Sequence, residues 1–135
     1  MSIFAHLLQQ ARPPASIKFV YSTKVESGAI DGARILFLPR LIALANEAGN
    51  CHVQLDLRIT GSSADELSKA KGLPSRTEAG RITRADLVDA LGDVKHRAGT
   101  VCYVCGPPAM TDETVAFLNV QEGMDSARVL CEKWW

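Results

Sequence analysis

The chain has 135 residues, a length that one domain can fill with a core of its own, without disulfides or a structural metal. Fifteen basic residues balance fifteen acidic ones, so there is no net field to favour a nucleic acid or an anionic membrane surface as partner. The longest apolar runs, such as 35–38 and 129–131, fall far short of the roughly 20 residues that a bilayer-crossing helix needs, so a soluble, intracellular protein is expected.

The first ten residues are apolar, but they lack the basic start and small-residue cleavage site of a secretory leader. Ile3, Phe4, Leu7, Leu8 and Ala11 recur at helical spacing, which predicts an amphipathic helix ended by Pro13-Pro14. Residues 17–22 are rich in β-branched and aromatic side chains and are expected to form a strand. Residues 31–48 read as a helix, with Pro39 near its start or at a kink and Gly49 as its stop.

Residues 52–60 alternate Val53, Leu55, Leu57 and Ile59 with Gln54, Asp56 and Arg58. This is the pattern of a half-covered strand, placed at a sheet edge. Residues 61–80 are dense in Ser, Lys, Gly and Pro and are expected to be a mobile surface loop, with a helical turn over 64–71. Thr83-Arg84-Ala85-Asp86 has the form of a capping box with Asp in place of Glu, and a short helix follows as far as Gly92.

Residues 100–105 form a nearly unbroken apolar run, expected to be a strand buried on both faces of a parallel sheet. Thr111-Asp112-Glu113 supplies a capping hydroxyl and first-turn acids for a helix closed by Gly123, and residues 127–133 form a last strand. Helix and strand alternate along the whole chain, which predicts one α/β domain over 1–135, doubly wound around a mainly parallel sheet. Such domains ordinarily open on a strand and a Gly-rich turn, whereas this chain opens on a helix.

Four cysteines stand at 51, 102, 105 and 131. Cys102 and Cys105 are three apart in a predicted strand and so point to opposite faces, which argues against a shared metal; no metal site is expected. No Ser-His-Asp grouping or Walker-type loop is present. After the apolar strand, Gly106-Pro107-Pro108 makes a stiff turn whose first position has no side chain. It lies at the carboxyl end of a strand, where open α/β sheets bind ligands. On the turn alone, a purely geometric use of Gly and Pro is the competing reading.

The run Val104-Cys105-Gly106-Pro107-Pro108-Ala109-Met110 resembles the C-G-P-x-x-M segment of the nicotinamide-binding domains of the ferredoxin-NADP reductase superfamily. Tyr21-Ser22-Thr23 resembles the end of that family's second strand and residues 55–60 its third. Gly80-Arg81-Ile82-Thr83 resembles the lead-in to the helix before the C-G-P strand. The ending Cys131-Glu132-Lys133-Trp134-Trp135 is similar to that of the oxidoreductase NAD-binding domain-containing proteins.

The resemblance implies an NAD(P)H:flavin oxidoreductase in which nicotinamide passes hydride to FAD. It implies Cys105 beside the nicotinamide ring and Glu132 near the flavin as catalytic candidates. Ser22, Thr60, Gly106, Pro107, Pro108, Met110 and Trp134 are then the candidate cofactor-binding residues, with Trp134 or Trp135 stacking on the flavin or plugging a neighbouring domain. Relatives that use NADPH tend to carry Ser-Arg at the positions of Thr60 and Gly61, so NADH is expected as the partner here; Arg58, Lys24 and Arg76 are the cations able to reach that area.

The family's first strand, its Gly-Gly-x-Gly-x-x-Pro turn and its flavin-binding barrel have no counterpart in these 135 residues. Three readings follow: a truncated piece of a complete flavoenzyme, a non-catalytic nucleotide-binding or interaction module that completes its sheet with a partner strand, and an unrelated α/β domain. Under the first, a mitochondrial address would lie upstream.

Overall fold

In the computed structural model, which describes residues 2–26 and 28–133, the chain divides into two compact units, Met1–Ile82 and Thr83–Trp135. Every paired strand runs parallel to its neighbour, and helices alternate with strands, so the α/β class read from the sequence is the one adopted. None of the described helices is long and apolar enough to cross a membrane.

The first unit contains α1 (Ser2–Gln9), β1 (Ser16–Lys24), α2 (Leu38–Asn46), β2 (His52–Thr60), α3 (Ala64–Ser68) and β3 (Arg76–Ala79). Its sheet has the order β1-β2-β3. The alternation read in β2 is present: Leu57 and Ile59 are buried against Ile30, Ile35 and Leu38, with Leu55, Ile42 and Leu67 packed around them. Phe4 of α1 lies against Phe19 of β1, ring centroids 5.6 Å apart, on the same apolar face.

The opposite face carries a polar ladder. Gln54 Nε2 donates to Asp56 Oδ2 at 3.0 Å, Arg76 bonds the other oxygen of Asp56, and Arg58 meets Glu78 at 2.6 Å. The alternation of β2 is therefore real, but its placement at an edge is corrected. β2 is the middle strand, and its polar residues are matched by charged neighbours on β3 rather than by water alone.

β3 is itself a correction to the loop expected over 61–80. Thr77 and Ala79 face the apolar side with Leu57 and Ile59, and Arg76 and Glu78 join the ladder. The same segment holds α3, whose cap Ser63 accepts from the Glu66 amide while Glu66 accepts from the Ser63 amide. An isolated bridge also joins Asp31 to Lys71. The helix expected over 31–48 is split. Gly32–Arg34 forms a 3-10 turn capped by Asp31, Phe37 takes a left-handed φ of 65°, and α2 restarts with Pro39 in its first turn, where proline is tolerated.

The second unit contains α4 (Arg84–Leu91), a 3-10 segment (Val94–Gly99), β4 (Cys102–Val104), α5 (Pro108–Asn119), a 3-10 turn (Ser126–Arg128) and β5 (Val129–Cys131). The predicted box at the start of α4 is fully formed. Asp86 N–H donates to Thr83 Oγ1 at 3.2 Å, and Thr83 N–H donates to Asp86 Oδ2 at 2.7 Å.

One face of the β4-β5 pair packs Val104 and Val129 against Leu91 and Leu118, with Val115, Phe117 and Met124 around them. The other face is open: Tyr103 and its register partner Leu130 are 46% and 44% exposed, and Val101 is 56% exposed. Burial of this strand on both faces is thus corrected to burial on one, and both strands are shorter than the apolar runs that predicted them. Arg97 is buried, with Nε donating to the Gly92 carbonyl at 3.0 Å and Nη1 to the Glu122 carbonyl at 3.0 Å.

Candidate functional site

The Gly-Pro-Pro turn is set by its own covalent restrictions. Pro108 disfavours helical backbone at Pro107, which sits at φ −56°, ψ 149°, and Pro108 then takes the first helical position, where its missing N–H costs nothing. Helix α5 therefore starts at Pro108, and the expectation that Thr111 opens it is corrected.

Thr111 is fully buried one turn in; its Oγ1 donates to the Gly106 carbonyl at 3.1 Å and its N–H to the Pro107 carbonyl at 2.9 Å. The hydroxyl thus ties the turn to the helix from inside. Met110 folds back over the turn, its terminal methyl filling the place where a side chain on Gly106 would begin. With no side-chain cap on Pro107, the first turn of α5 keeps amide donors directed at whatever lies before it.

Cys105 follows the last residue of β4 and is exposed, as are Pro107 and Pro108; Gly106 is half-buried. The register of the two strands pairs Cys102 with Val129, Tyr103 with Leu130 and Val104 with Cys131. One residue beyond the last pair lie Cys105 and Glu132, and the Glu132 N–H donates to the Val104 carbonyl at 3.4 Å, the bond that completes the Val104–Cys131 pair. Two residues 27 apart in sequence thus both follow the carboxyl ends of adjacent parallel strands, and both are exposed.

Lys133 Nζ, 2.7 Å from Asp112 Oδ1, ties the segment after β5 to α5. The Asp112 carboxylate, by hydrogen bond and by charge, raises the Lys133 ammonium above its ordinary value. Trp134 and Trp135, the aromatic candidates, lie outside the described residues.

Ser22 and Thr60 belong to the first unit, at the carboxyl ends of β1 and β2. Ser22 is opposite Arg58 and Thr60 opposite Lys24 in the parallel register, so all four share the polar face. Thr60 Oγ1 donates to the Thr23 carbonyl at 3.3 Å. Gly61, just beyond, has φ 82°, and a Cβ there would stand 3.0 Å from the Val25 carbonyl oxygen, so this strand end is closed tightly around backbone. Of the three cations expected to reach the area, Arg58 is paired with Glu78 and Arg76 with Asp56, while Lys24 is exposed.

The four cysteines are free; Cys51 is buried, Cys102 and Cys131 are half-buried, and Cys105 is exposed. Among the described residues no cluster of three or more His, Cys, Asp or Glu side chains could hold a metal. Arg97, Thr111 as an internal tie, and the Arg58–Glu78 pair are features of the structure that no motif in the sequence announces. Only Thr111 carried a local signal, a hydroxyl four residues after the Pro-Pro start.

No protein-family model matches the chain, and no solved structure matches it. It is similar to oxidoreductase NAD-binding domain-containing protein 1 of Bos taurus, 29% identical over 149 aligned residues that cover 100% of this chain and 41% of that protein. To the protein of the same name from Danio rerio it is 28% identical over 125 aligned residues, 90% of this chain and 40% of the relative. The chain spans about two fifths of the length of the curated relatives it matches.

Proposed function

We propose that this chain binds NAD(H) and serves as the nicotinamide-binding part of a flavin-dependent oxidoreductase of the ferredoxin-NADP reductase type. The observation that carries the reading is that Cys105 and Glu132 each follow the last residue of a paired parallel strand, next to an accessible Gly-Pro-Pro turn. The names of the two relatives support NAD binding, and oxidoreduction as its purpose.

The residues fit a nicotinamide chemically. A flat ring with a carboxamide needs an approach free of side chains, a polarizable contact and a hydrogen-bonding group. The half-buried Gly106, the Cys105 thiol and the Glu132 carboxylate offer these just past the ends of β4 and β5. Cys105 orients the ring by contact without adding a charge that would bias its stacking. Glu132 accepts a hydrogen bond, or relays a proton to a flavin that has taken up hydride alone. A bound dinucleotide would supply the hydride, and FAD, held by a flavin-binding domain in the complete protein, would accept it.

NADH is favoured over NADPH because Glu78 occupies the guanidinium of Arg58 on the face that holds Ser22 and Thr60. A ribose 2′-phosphate would have to compete with that carboxylate for its bidentate partner.

Alkylation of Cys105 tests the proposal. With iodoacetamide and peptide mass spectrometry, Cys105 is expected to react first, and NADH at several times its dissociation constant to slow it roughly threefold or more, as occupancy of the site requires. NADPH should protect less at equal concentration. A Cys105 rate indifferent to millimolar NADH would remove the nucleotide from this turn.

A further inference from the structure

We propose that Asp112 is a positioning residue: through Lys133 it fixes the segment that carries Glu132 past the end of β5, and so sets where that carboxylate meets the nucleotide. This role rests on the nucleotide reading of the Gly-Pro-Pro turn and adds to it a residue that does not itself touch the ligand.

The hold of a strand on its residues ends with its ladder. The β4-β5 pairing stops at Val104 and Cys131, and its last bond, from the Glu132 N–H to the Val104 carbonyl, is long at 3.4 Å. Among the described residues no backbone hydrogen bond follows it, and the Glu132 carboxylate has neither a hydrogen bond nor an ion pair of its own. The next fixed point is a side chain, Lys133 Nζ at 2.7 Å from Asp112 Oδ1.

What Asp112 stands on makes that point significant. It follows Thr111, which is fully buried and whose hydroxyl and amide bond the Gly106 and Pro107 carbonyls. Asp112 is therefore part of the same rigid piece as the turn, and its bond to Lys133 places the residue next to Glu132 in the frame of that turn. Cys131 packs against the core that includes Leu118 and Val115 of α5, and Lys133, two residues on, reaches α5 as well. Glu132 between them is then directed away from the helix, as alternate residues of an extended segment are.

Magnitude separates this role from a structural one. The Lys133 and Asp112 side chains are 51% and 57% exposed, and an ion pair so placed adds little to global stability. At the end of a ladder, however, opening free energies are themselves small, so a weak bond decides how often the segment is held.

Two measurements on the full chain test the proposal. Amide exchange at Glu132 reads the tether without nucleotide: Asp112→Asn should speed it roughly threefold, with exchange inside the β4-β5 ladder unchanged. Asp112→Glu keeps the carboxylate and should restore the parent's rate. Lys133→Met breaks the pair from the other end and should repeat the loss.

The NADH concentration that half-protects Cys105 from iodoacetamide reads the site. Asp112→Asn should raise it roughly threefold, the same bias read through binding, and Asp112→Glu should not. In a Glu132→Ala background Asp112→Asn should add nothing, because the aspartate acts through that carboxylate. Glu132 exchange that ignores both Asp112→Asn and Lys133→Met would overturn the proposal, as would a loss of protection that is the same with and without Glu132. If NADH fails to protect Cys105 in the parent chain, the nucleotide reading fails and the positioning role falls with it; Glu132 exchange that still responds to Asp112→Asn tells that outcome from a missing tether.

Discussion

The terminal methyl of Met110 occupies the position from which a side chain on Gly106 would grow, so two members of the C-G-P-x-x-M run are coupled by volume. Gly106 does not need a left-handed backbone; it needs to leave room. Gly106→Ala is expected to destabilise by about 1–2 kcal/mol, since the added methyl must push the thioether out of a well-packed position. Because the displaced atom is the far end of a flexible side chain, the same substitution in a Met110→Ala background should cost about half as much or less. Urea titration of the four members of that cycle measures the coupling directly. Equal costs in both backgrounds would show that the turn, not the methionine, rejects the side chain.

Arg97 holds the second unit together from inside. Its guanidinium bonds the Gly92 carbonyl, at the C-cap of α4, and the Glu122 carbonyl just after α5. Helix ends leave carbonyls without intrahelical partners and carry partial negative charge, so a buried cation is suited to both needs. Arg97→Met keeps the bulk but abandons both carbonyls and is expected to cost roughly 3 kcal/mol. Arg97→Lys, with a single ammonium in place of the planar fork, should fall between the two. Denaturant midpoints at constant slope decide the order of the three proteins.

How much of this was legible in the sequence depended on whether the determining contact was local. The capping box at Thr83 and Asp86 is written within four residues and was read with its bonding pattern. The period-two pattern of β2 is likewise local, but its central position depends on β3, whose Arg76-Thr77-Glu78-Ala79 contains no large apolar side chain. That strand is specified by its neighbour, through Asp56 and Arg58, and a composition rich in Ser, Lys and Gly around it reads as loop. Arg97 gave no signal, because what buries it is a pair of backbone carbonyls that any sequence could supply. Cys105 and Glu132 were nominated separately, by resemblance; that they follow the ends of two paired strands comes from a parallel register that no spacing in the chain encodes.

Stability should fall at alkaline pH through two groups in the second unit. Burial raises the Cys102 thiol above its ordinary value of 9.0, and hydrogen bonding and charge from Asp112 raise the Lys133 ammonium above 10.5. In both cases the folded state holds the proton more tightly than the unfolded chain. The contribution is therefore complete below the unfolded value and is lost as pH climbs through the folded one. Unfolding free energies should be level with respect to Cys102 up to about pH 9 and decline above it. Cys102→Val should remove the first part of that decline and leave the part near Lys133, which Lys133→Met removes in turn. A decline that survives both substitutions would locate it elsewhere.

If Cys105 positions the nicotinamide, its loss should appear in the hydride step and not in the fold. Its side chain is exposed, so Cys105→Ala empties no packed cavity and should leave the urea midpoint close to that of the parent. In the complete protein with its flavin, the rate of flavin reduction by NADH is expected to drop roughly tenfold, about 1.4 kcal/mol of barrier, since misplacing the ring is costly even when the nucleotide still binds. Glu132→Gln separates the neighbour's role. The amide retains the size and an acceptor oxygen, so ring placement survives, while any limb of the pH–rate profile that belongs to the carboxylate disappears. Stopped-flow reduction across pH distinguishes the two: a uniform drop for Cys105→Ala and a lost limb for Glu132→Gln are expected. Unchanged reduction in the alanine variant would leave Cys105 as a surface thiol next to a structural turn.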